Sequence, residues 1–341
     1  MYSPGQMEAV LRLYSFVSRC GSSVKNFLYD RNLRRPSRAP LPVISVGNIS
    51  LGGTGKTPLA IELLSWLAAR GRRPALVSRG YRGRWEKSGG TFSDGRSILG
   101  TWREGGDEPA MIAAALPRAG VFVGRDRLVS CRKARELGFD TAVLDDGFQH
   151  RRVARDFDIV IYSPSPRVPL RESPAGLRRA DVIAVEAHAA DPDGTLSPPA
   201  DAAGAIVSYS VASRGFRDTA TGEPLPASAL RGERLVAFCG IARPERFRDR
   251  LSGEGLEIGA FLAFPDHHAY PEASLAKILA AAQAHGARRA VTTAKDAVKL
   301  ADRLDFLGAL DVAVLEIGLK IDPRLFTLLE AALAKSTRPN V

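Results

Sequence analysis

Two patterns take turns along the chain. Short apolar runs alternate with longer stretches in which apolar residues recur every three or four positions. PVISVGNI (42–49), RPALVSRG (73–80), VFVG (121–124), TAVLDDG (141–147), DIVIYS (158–163) and DVIAVE (181–186) are runs of the first kind. A strand that is apolar on both faces must be covered on both faces, which is the condition of a parallel sheet with helices above and below. The stretches between these runs carry helical periodicity, beginning with a helix predicted from about 58 to 70. Residues 190–204, rich in Ala, Asp, Pro and Gly, read as a linker or long loop. A second series follows: AIVSYSV (205–211), RLVAFCG (234–240), IGAFLAF (258–264), RAVTTA (289–294) and DVAVLEIG (311–318). Helices are predicted at 243–253, 271–285 and 323–335. The pattern predicts an α/β chain, with a parallel-sheet domain over 41–205 and a smaller α/β domain over 206–341.

Residues 1–40 stand apart. Val10, Leu13, Tyr14, Val17, Cys20, Val24, Phe27 and Leu28 recur at helical spacing, with Arg12, Arg19, Lys25, Arg31, Arg34 and Arg35 among them. Two readings fit this pattern. One is a helix packed on its own domain. The other is a basic amphipathic helix lying on an anionic membrane surface.

Composition narrows the partners more than the fold. The 341 residues are 45% hydrophobic and 25% charged, as in an ordinary globular chain, and carry a net charge of +11 that favours anionic partners. Cys20, Cys131 and Cys239 lack the spacing of a disulfide framework or zinc knuckle and fit a reducing cytosol. No signal peptide and no bilayer-length apolar run are evident. The basic residues are dispersed and no aromatic-basic motif of the RNA-binding type is present, so nucleic acid is not the expected partner.

The chemistry begins at SLGGTGKTP (50–58), directly behind the first strand. The general phosphate-loop pattern is G-x-x-x-x-G-K-[ST]. Gly55, Lys56 and Thr57 match its end, while Ser50 takes the place of the first glycine. Gly52, Gly53, Thr54 and Gly55 form a turn whose N–H groups can curl around phosphate oxygens, at the positive end of the following helix. Lys56 is expected to reach the terminal phosphates and Thr57 to ligate Mg²⁺. Asp145 and Asp146 end the strand TAVL, where a second metal-binding carboxylate belongs. Ligands of open α/β sheets lie beyond the carboxyl ends of the strands, so these groups should meet there. The expectation is a P-loop NTPase-type fold that binds ATP and Mg²⁺.

The remaining motifs add specificity. GNISLGGTGKTP, SRGYRG (78–83), GDEP (106–109), LDDGFQH (144–150), LRE (170–172), GIARPERF (240–247), FPDHHAY (264–270) and TAKDAVKL (293–300) occur in this order. Together they resemble the tetraacyldisaccharide 4'-kinase (lipid A 4'-kinase) family, over about residues 7–320. The resemblance implies transfer of the γ-phosphate of ATP to the 4'-hydroxyl of a tetraacylated glucosamine disaccharide 1-phosphate. The product would be lipid IVA, and the enzyme a peripheral protein, expected as a monomer, on the cytoplasmic face of the bacterial inner membrane. It also favours the membrane-docking reading of residues 1–40.

By the same resemblance, Asp107 is the general base and His267 its partner, with adjacent His268 leaving the choice of histidine open. Asp107 and Glu108, ahead of Pro109 and an Ala-rich helix, also read as an N-cap. His267 belongs to the second domain, so the resemblance requires the two halves to meet. Glu172 matches an acidic residue near the metal, and Arg171 stands ready to neutralise phosphate charge. Gln149 and His150 support the aspartates. Arg79 and Arg82, with Gln149, are candidates for contact with the substrate, its 1-phosphate included. Two departures are visible: Ala294 stands where the family has Glu, and PSPRVP precedes LRE where LPAGP is usual. The competing readings are a P-loop GTPase or metallochaperone, against which the spacing of TAKD speaks, and a soluble small-molecule kinase.

Overall fold

The computed structural model describes residues 21–50, 55–162, 170–187, 202–308 and 310–336. Residues 21–30 are helical (α1), and the rest of the predicted N-terminal helix lies outside the described residues. β1 (Val43–Asn48) is buried at all of its positions and leads through Gly55 into α2 (Lys56–Ala69), whose Leu59, Leu63, Leu64 and Leu67 face the sheet. β2 (Pro74–Ser78), β4 (Gly120–Val123), β5 (Thr141–Asp145) and β6 (Phe157–Tyr162) are likewise buried throughout. This is what their unbroken apolar character requires of central parallel strands. Between them lie α3 (Trp85–Ser88), β3 (Gly90–Asp94), α4 (Trp102–Gly105), α5 (Asp107–Ala115) and α6 (Arg127–Glu136). β7 (Val182–Glu186) closes this part of the chain.

The second series forms β8 (Ala205–Asp218), β10 (Leu235–Cys239), α7 (Pro244–Gly253), β11 (Ile258–Ala263) and α8 (Glu272–Ala284). β12 (Arg289–Thr293), α9 (Ala294–Leu300), β13 (Asp311–Ile321) and α10 (Arg324–Ser336) follow. A two-residue β9 (Pro224–Leu225) pairs with β8. Among the described residues one sheet holds 13 strands: twelve in the order β11-β10-β12-β13-β8-β7-β6-β1-β5-β2-β4-β3, and β9 paired with β8 off that path. Most pairings are parallel, as the sequence predicts. The pairs β3–β4, β8–β9 and β8–β13 are antiparallel.

The sequence treats AIVSYSV as one strand of a second unit, but β8 serves both halves. Ala205 to Tyr209 run parallel to β7, and Tyr209 to Asp218 run antiparallel to β13. α10, the last described helix, folds back so that Leu325, Leu329 and Leu333 join the core cluster of β1, β6 and α2. α2 and β13 are also tied together by Glu62, which pairs with Arg214 and accepts from the Leu319 amide at 3.3 Å. The halves therefore share a sheet and a core, with the C-terminal ends of β1 and β5 near its middle.

Candidate active site

At the end of β1 and the start of α2, Gly55 takes φ 85°, a left-handed conformation that glycine adopts without steric cost. Lys56, the next residue, donates to Asn48 Oδ1 at 3.1 Å and to Asp146 Oδ1 at 2.7 Å. Asp146 also has a left-handed backbone, φ 51°, which turns its carboxylate away from the β5 line. Arg171 donates to its other oxygen at 2.7 Å. Burial would raise the Asp146 carboxyl, but Lys56 and Arg171 hold it well below the ordinary carboxylate range. At Gly47 a side chain would collide with Phe148, whose Cβ lies 2.4 Å from where a Cβ would sit, so the turn after β5 packs directly on β1.

Asp145 behaves oppositely. It is buried, and burial followed by the neighbouring charges of Glu108 and Asp146 pushes its carboxyl up to about 7. Ser78 donates to Oδ2 at 3.2 Å, while Oδ1 has no hydrogen-bond partner among the described residues. A buried carboxylate oxygen without a donor calls for a missing partner, and a hard divalent cation supplies one. The donor set thus fits Mg²⁺. Arg127, buried at the first position of α6, adds positive charge that acts on both aspartates.

The second cluster forms where the two halves meet. Asp107 is the first residue of α5, after Gly106 at φ 92°. The N-cap reading does not hold: Gly106 is the cap, and the Asp107 side chain is turned to the other half. There His267 Nδ1 lies 2.8 Å from Asp107 Oδ2 and 3.0 Å from Oδ1. His267 has φ 62°, so the chain bends sharply after Asp266. His268 instead bonds Ser274 Oγ at 2.8 Å and stacks on Phe264, which answers which histidine faces Asp107.

Two lysines of α9 complete the cluster. Lys295 Nζ is 3.1 Å from Asp266, 3.4 Å from His267 Nε2, 3.7 Å from Glu108 and 3.9 Å from Asp107. Lys299 Nζ is 3.8 Å from Asp107 Oδ2 and 2.8 Å from Asp296 Oδ1. Burial alone would raise the Asp107 carboxyl, but the His267 hydrogen bond and the two ammonium charges lower it. Burial would lower Lys295, and Asp107, Glu108 and Asp266 raise it instead. Glu108 acts on both Lys295 and Asp145, so the two clusters adjoin.

Other expected site residues take different places. Glu172 is buried and accepts from Asn26 Nδ2 (2.6 Å), Arg179 Nη2 (2.6 Å) and Gln149 Nε2 (3.2 Å). Its contacts tie α1 to the site. Gln149 also donates to the Asn48 carbonyl at 2.9 Å, bracing the turn after β5 against the end of β1. His150 is kept neutral by burial and then by Arg127 and Lys25, its affinity for a proton lowered to about 4. Arg79 pairs with Glu86 at 2.6 Å. Arg82 donates to the Asp266 carbonyl at 3.4 Å, and Tyr81 beside it meets His267 edge-on at 5.6 Å between centroids. Gly52, Gly53 and Thr54 lie outside the described residues. Asp296 is buried and accepts from the Gly240 amide and the Thr293 hydroxyl. Lys299, Arg127, Glu108 and Asn48 carry charge or hydrogen bonds here without having been singled out for the site. Only the helical spacing of Lys295 and Lys299 in TAKDAVKL hinted at one of them.

A P-loop lysine at the carboxyl end of a central strand, two aspartates beside it and a carboxylate–histidine pair opposite define a nucleotide-dependent phosphotransferase. The profile of the tetraacyldisaccharide-1-P 4'-kinase family matches residues 7–334, and the chain belongs to that family. Tetraacyldisaccharide 4'-kinase of Syntrophus aciditrophicus is 40% identical over 337 residues, covering 92% of this chain and 90% of the relative. The enzyme of that name from Anaeromyxobacter sp. strain Fw109-5 is 41% identical over 323 residues, covering 88% and 85%. Among solved structures, LpxK from Aquifex aeolicus in complex with ATP superposes with a TM-score of 0.76 at 28% identity, covering 96% of this chain and 99% of that one.

Proposed function

We propose that this chain transfers the γ-phosphate of ATP to the 4'-hydroxyl of a tetraacyl glucosamine disaccharide 1-phosphate, yielding lipid IVA. The observation that carries the reading is the Asp107–His267 pair set beside the Lys56–Asp146–Asp145 group, a proton acceptor next to a phosphoryl site. The 4'-oxygen attacks the γ-phosphorus, the bond from that phosphorus to the bridging oxygen breaks, and ADP leaves with the electron pair. Asp107 takes the hydroxyl proton, and His267, bonded through Nδ1, holds the carboxylate in place. Lys56 gives up part of its contact with Asp146 to meet the transferring group, whose charge it stabilises. Arg171 supports the same phosphates. Thr57, Asp145 and Asp146 would hold Mg²⁺. When bound, Mg²⁺ neutralises phosphate charge and orients the triphosphate.

The membrane-surface reading rests on α1. Its polar residues face the protein: Asn26 meets Glu172, and Asp30 pairs with Arg151 at 2.6 Å. Val24 at 64% and Phe27 at 54% exposure face outward, followed by Leu33 at 66%, while Leu28 and Tyr29 are half-buried. Arg31, Arg34 and Arg35 are exposed alongside. An apolar outer face flanked by arginines suits an anionic lipid interface and brings the site to the depth of a lipid substrate. No described helix is long and apolar enough to cross a membrane. The place of action on this reading is the cytoplasmic face of the inner membrane.

Incubation with ATP, Mg²⁺ and the disaccharide 1-phosphate lipid should add one phosphoryl group to the lipid by mass. A protein that turns over ATP with a water-soluble alcohol and ignores the lipid would favour a soluble small-molecule kinase. Removal of residues 1–35 should abolish binding to anionic liposomes, and retained binding would point the same way.

A further inference from the structure

Lys299 is fully buried, 0% exposed, and so is its partner Asp296. A buried ion pair is weak grounds for stability, because apolar residues of the same volume commonly do as well. Something other than stability has to account for its position. Asp296 is fixed from three sides. It lies in the first turn of α9, where Thr293 caps the helix by accepting from the Asp296 amide. Its Oδ2 accepts from the Gly240 amide at 2.9 Å and from Thr293 Oγ1 at 2.7 Å, and its Oδ1 faces Lys299. One helical turn on, Lys299 is aimed past Asp296, beside the Tyr270 ring at 5.3 Å, to a point 3.8 Å from Asp107 Oδ2.

The charged groups facing Asp107 come from three elements. α5 contributes Glu108, the 265–270 loop contributes His267 and Asp266, and α9 contributes Lys295 and Lys299. Lys295 is 16% exposed and stands at the cleft, where incoming phosphate competes for it. Lys299 is sealed from solvent and shares its charge between Asp296 at 2.8 Å and Asp107 at 3.8 Å.

On the kinase reading above, we propose that Lys299, anchored by Asp296, is the positioning residue for the base: its buried ammonium fixes the Asp107 carboxylate and keeps it anionic when the triphosphate arrives. A triphosphate brings several negative charges next to a carboxylate that must remain unprotonated to accept the sugar proton. A cation on the far side, out of reach of those phosphates, offsets their effect where a cleft-facing lysine cannot. TAKDAVKL then acts as one unit, with Thr293 holding Asp296, Asp296 holding Lys299, and Lys299 holding Asp107.

The test compares wild type with Lys299→Met and with Asp296→Asn/Lys299→Met. The double variant removes the pair together and leaves no uncompensated buried charge should the single variant fold poorly. Two readouts are used. Carboxyl NMR of ¹³C-aspartate protein, with Asp107 assigned by its loss in Asp107→Asn, needs no substrate. Its titration midpoint should rise by ~1 pH unit or more in the variants. The ratio of variant to wild-type kcat on the lipid should climb several-fold, about 5-fold, between pH 4 and 7, with KM for ATP within about two-fold of wild type. An unmoved midpoint, or a ratio flat across that range, overturns the proposal and leaves Lys299 a packing residue. Failure of the wild type to phosphorylate the lipid would strike the functional reading instead, and the NMR comparison would still decide the role of Lys299.

Discussion

The two charge clusters of the site are built in contrasting ways. Lys56 opens α2 behind β1, Asp146 follows β5, and Arg171 is tied by its amide to the Ile49 carbonyl just past β1; β1 and β5 are neighbours in the sheet with a fixed parallel register. Their geometry follows once the central sheet forms. Asp107 and His267 are 160 residues apart, and they meet only because α5 of the first half packs against α9 and the loop after β11 of the second. The phosphate side is thus a product of local topology, and the acceptor side a product of how the halves join. Damage to the first should abolish phosphoryl chemistry outright, whereas damage to the second should slow proton acceptance while leaving nucleotide binding in place.

Four changes would break or sharpen that contrast. Lys56→Ala is expected to be the most severe, lowering kcat by ~10³-fold or more, since a positioned charge on the transferring group is worth several kcal/mol. Near-normal turnover in that variant would remove Lys56 from its assigned work. Asp107→Asn should lower kcat by ~10²–10³-fold, with KM for ATP nearly unchanged. A variant that only raised that KM would place Asp107 on the nucleotide side.

Asp145→Asn sharpens the comparison through stability. The wild-type carboxyl holds its proton up to about 7 in the fold but only to 3.8, its ordinary value, when unfolded. Between those values the folded state binds the extra proton, so stability falls as pH rises. The asparagine variant should therefore gain on wild type by up to ~3 kcal/mol as pH goes from 5 to 8, in thermal unfolding without divalent cations. A gain independent of pH would mean that Asp145 is not the proton holder. The mildest effect is expected for Asn26→Ala, about 1 kcal/mol of stability from the lost bond to Glu172, with kcat within about two-fold. A large loss of kcat would show that α1 acts on the phosphate side and not only as a support.

The same division explains what could be read from the chain. Strands apolar throughout, such as VISVGN, announce a parallel core because nothing else buries both faces. A glycine turn followed by Lys-Thr announces phosphate because few other needs combine those residues. The role of β8 was not legible. AIVSYSV looks like any short strand, and nothing in its residues says that the chain continues past Val211 to pair with β13. Glu172 was read by its acidity, but its environment (Asn26, Arg179 and Gln149) is assembled from distant segments. Lys299 looks like an ordinary solvated helix lysine, and only the tertiary structure reveals that it is sealed beneath Asp107.

The long strand β8 also constrains how the molecule can move. Most of the linker expected at 190–204 lies outside the described residues, but β8 itself couples the halves, its first residues hydrogen-bonded to one and its last to the other. Any widening of the cleft has to be taken up as torsion within a continuous ladder of backbone hydrogen bonds, a stiff spring in place of a free joint. Heat should accordingly melt both halves in a single cooperative step.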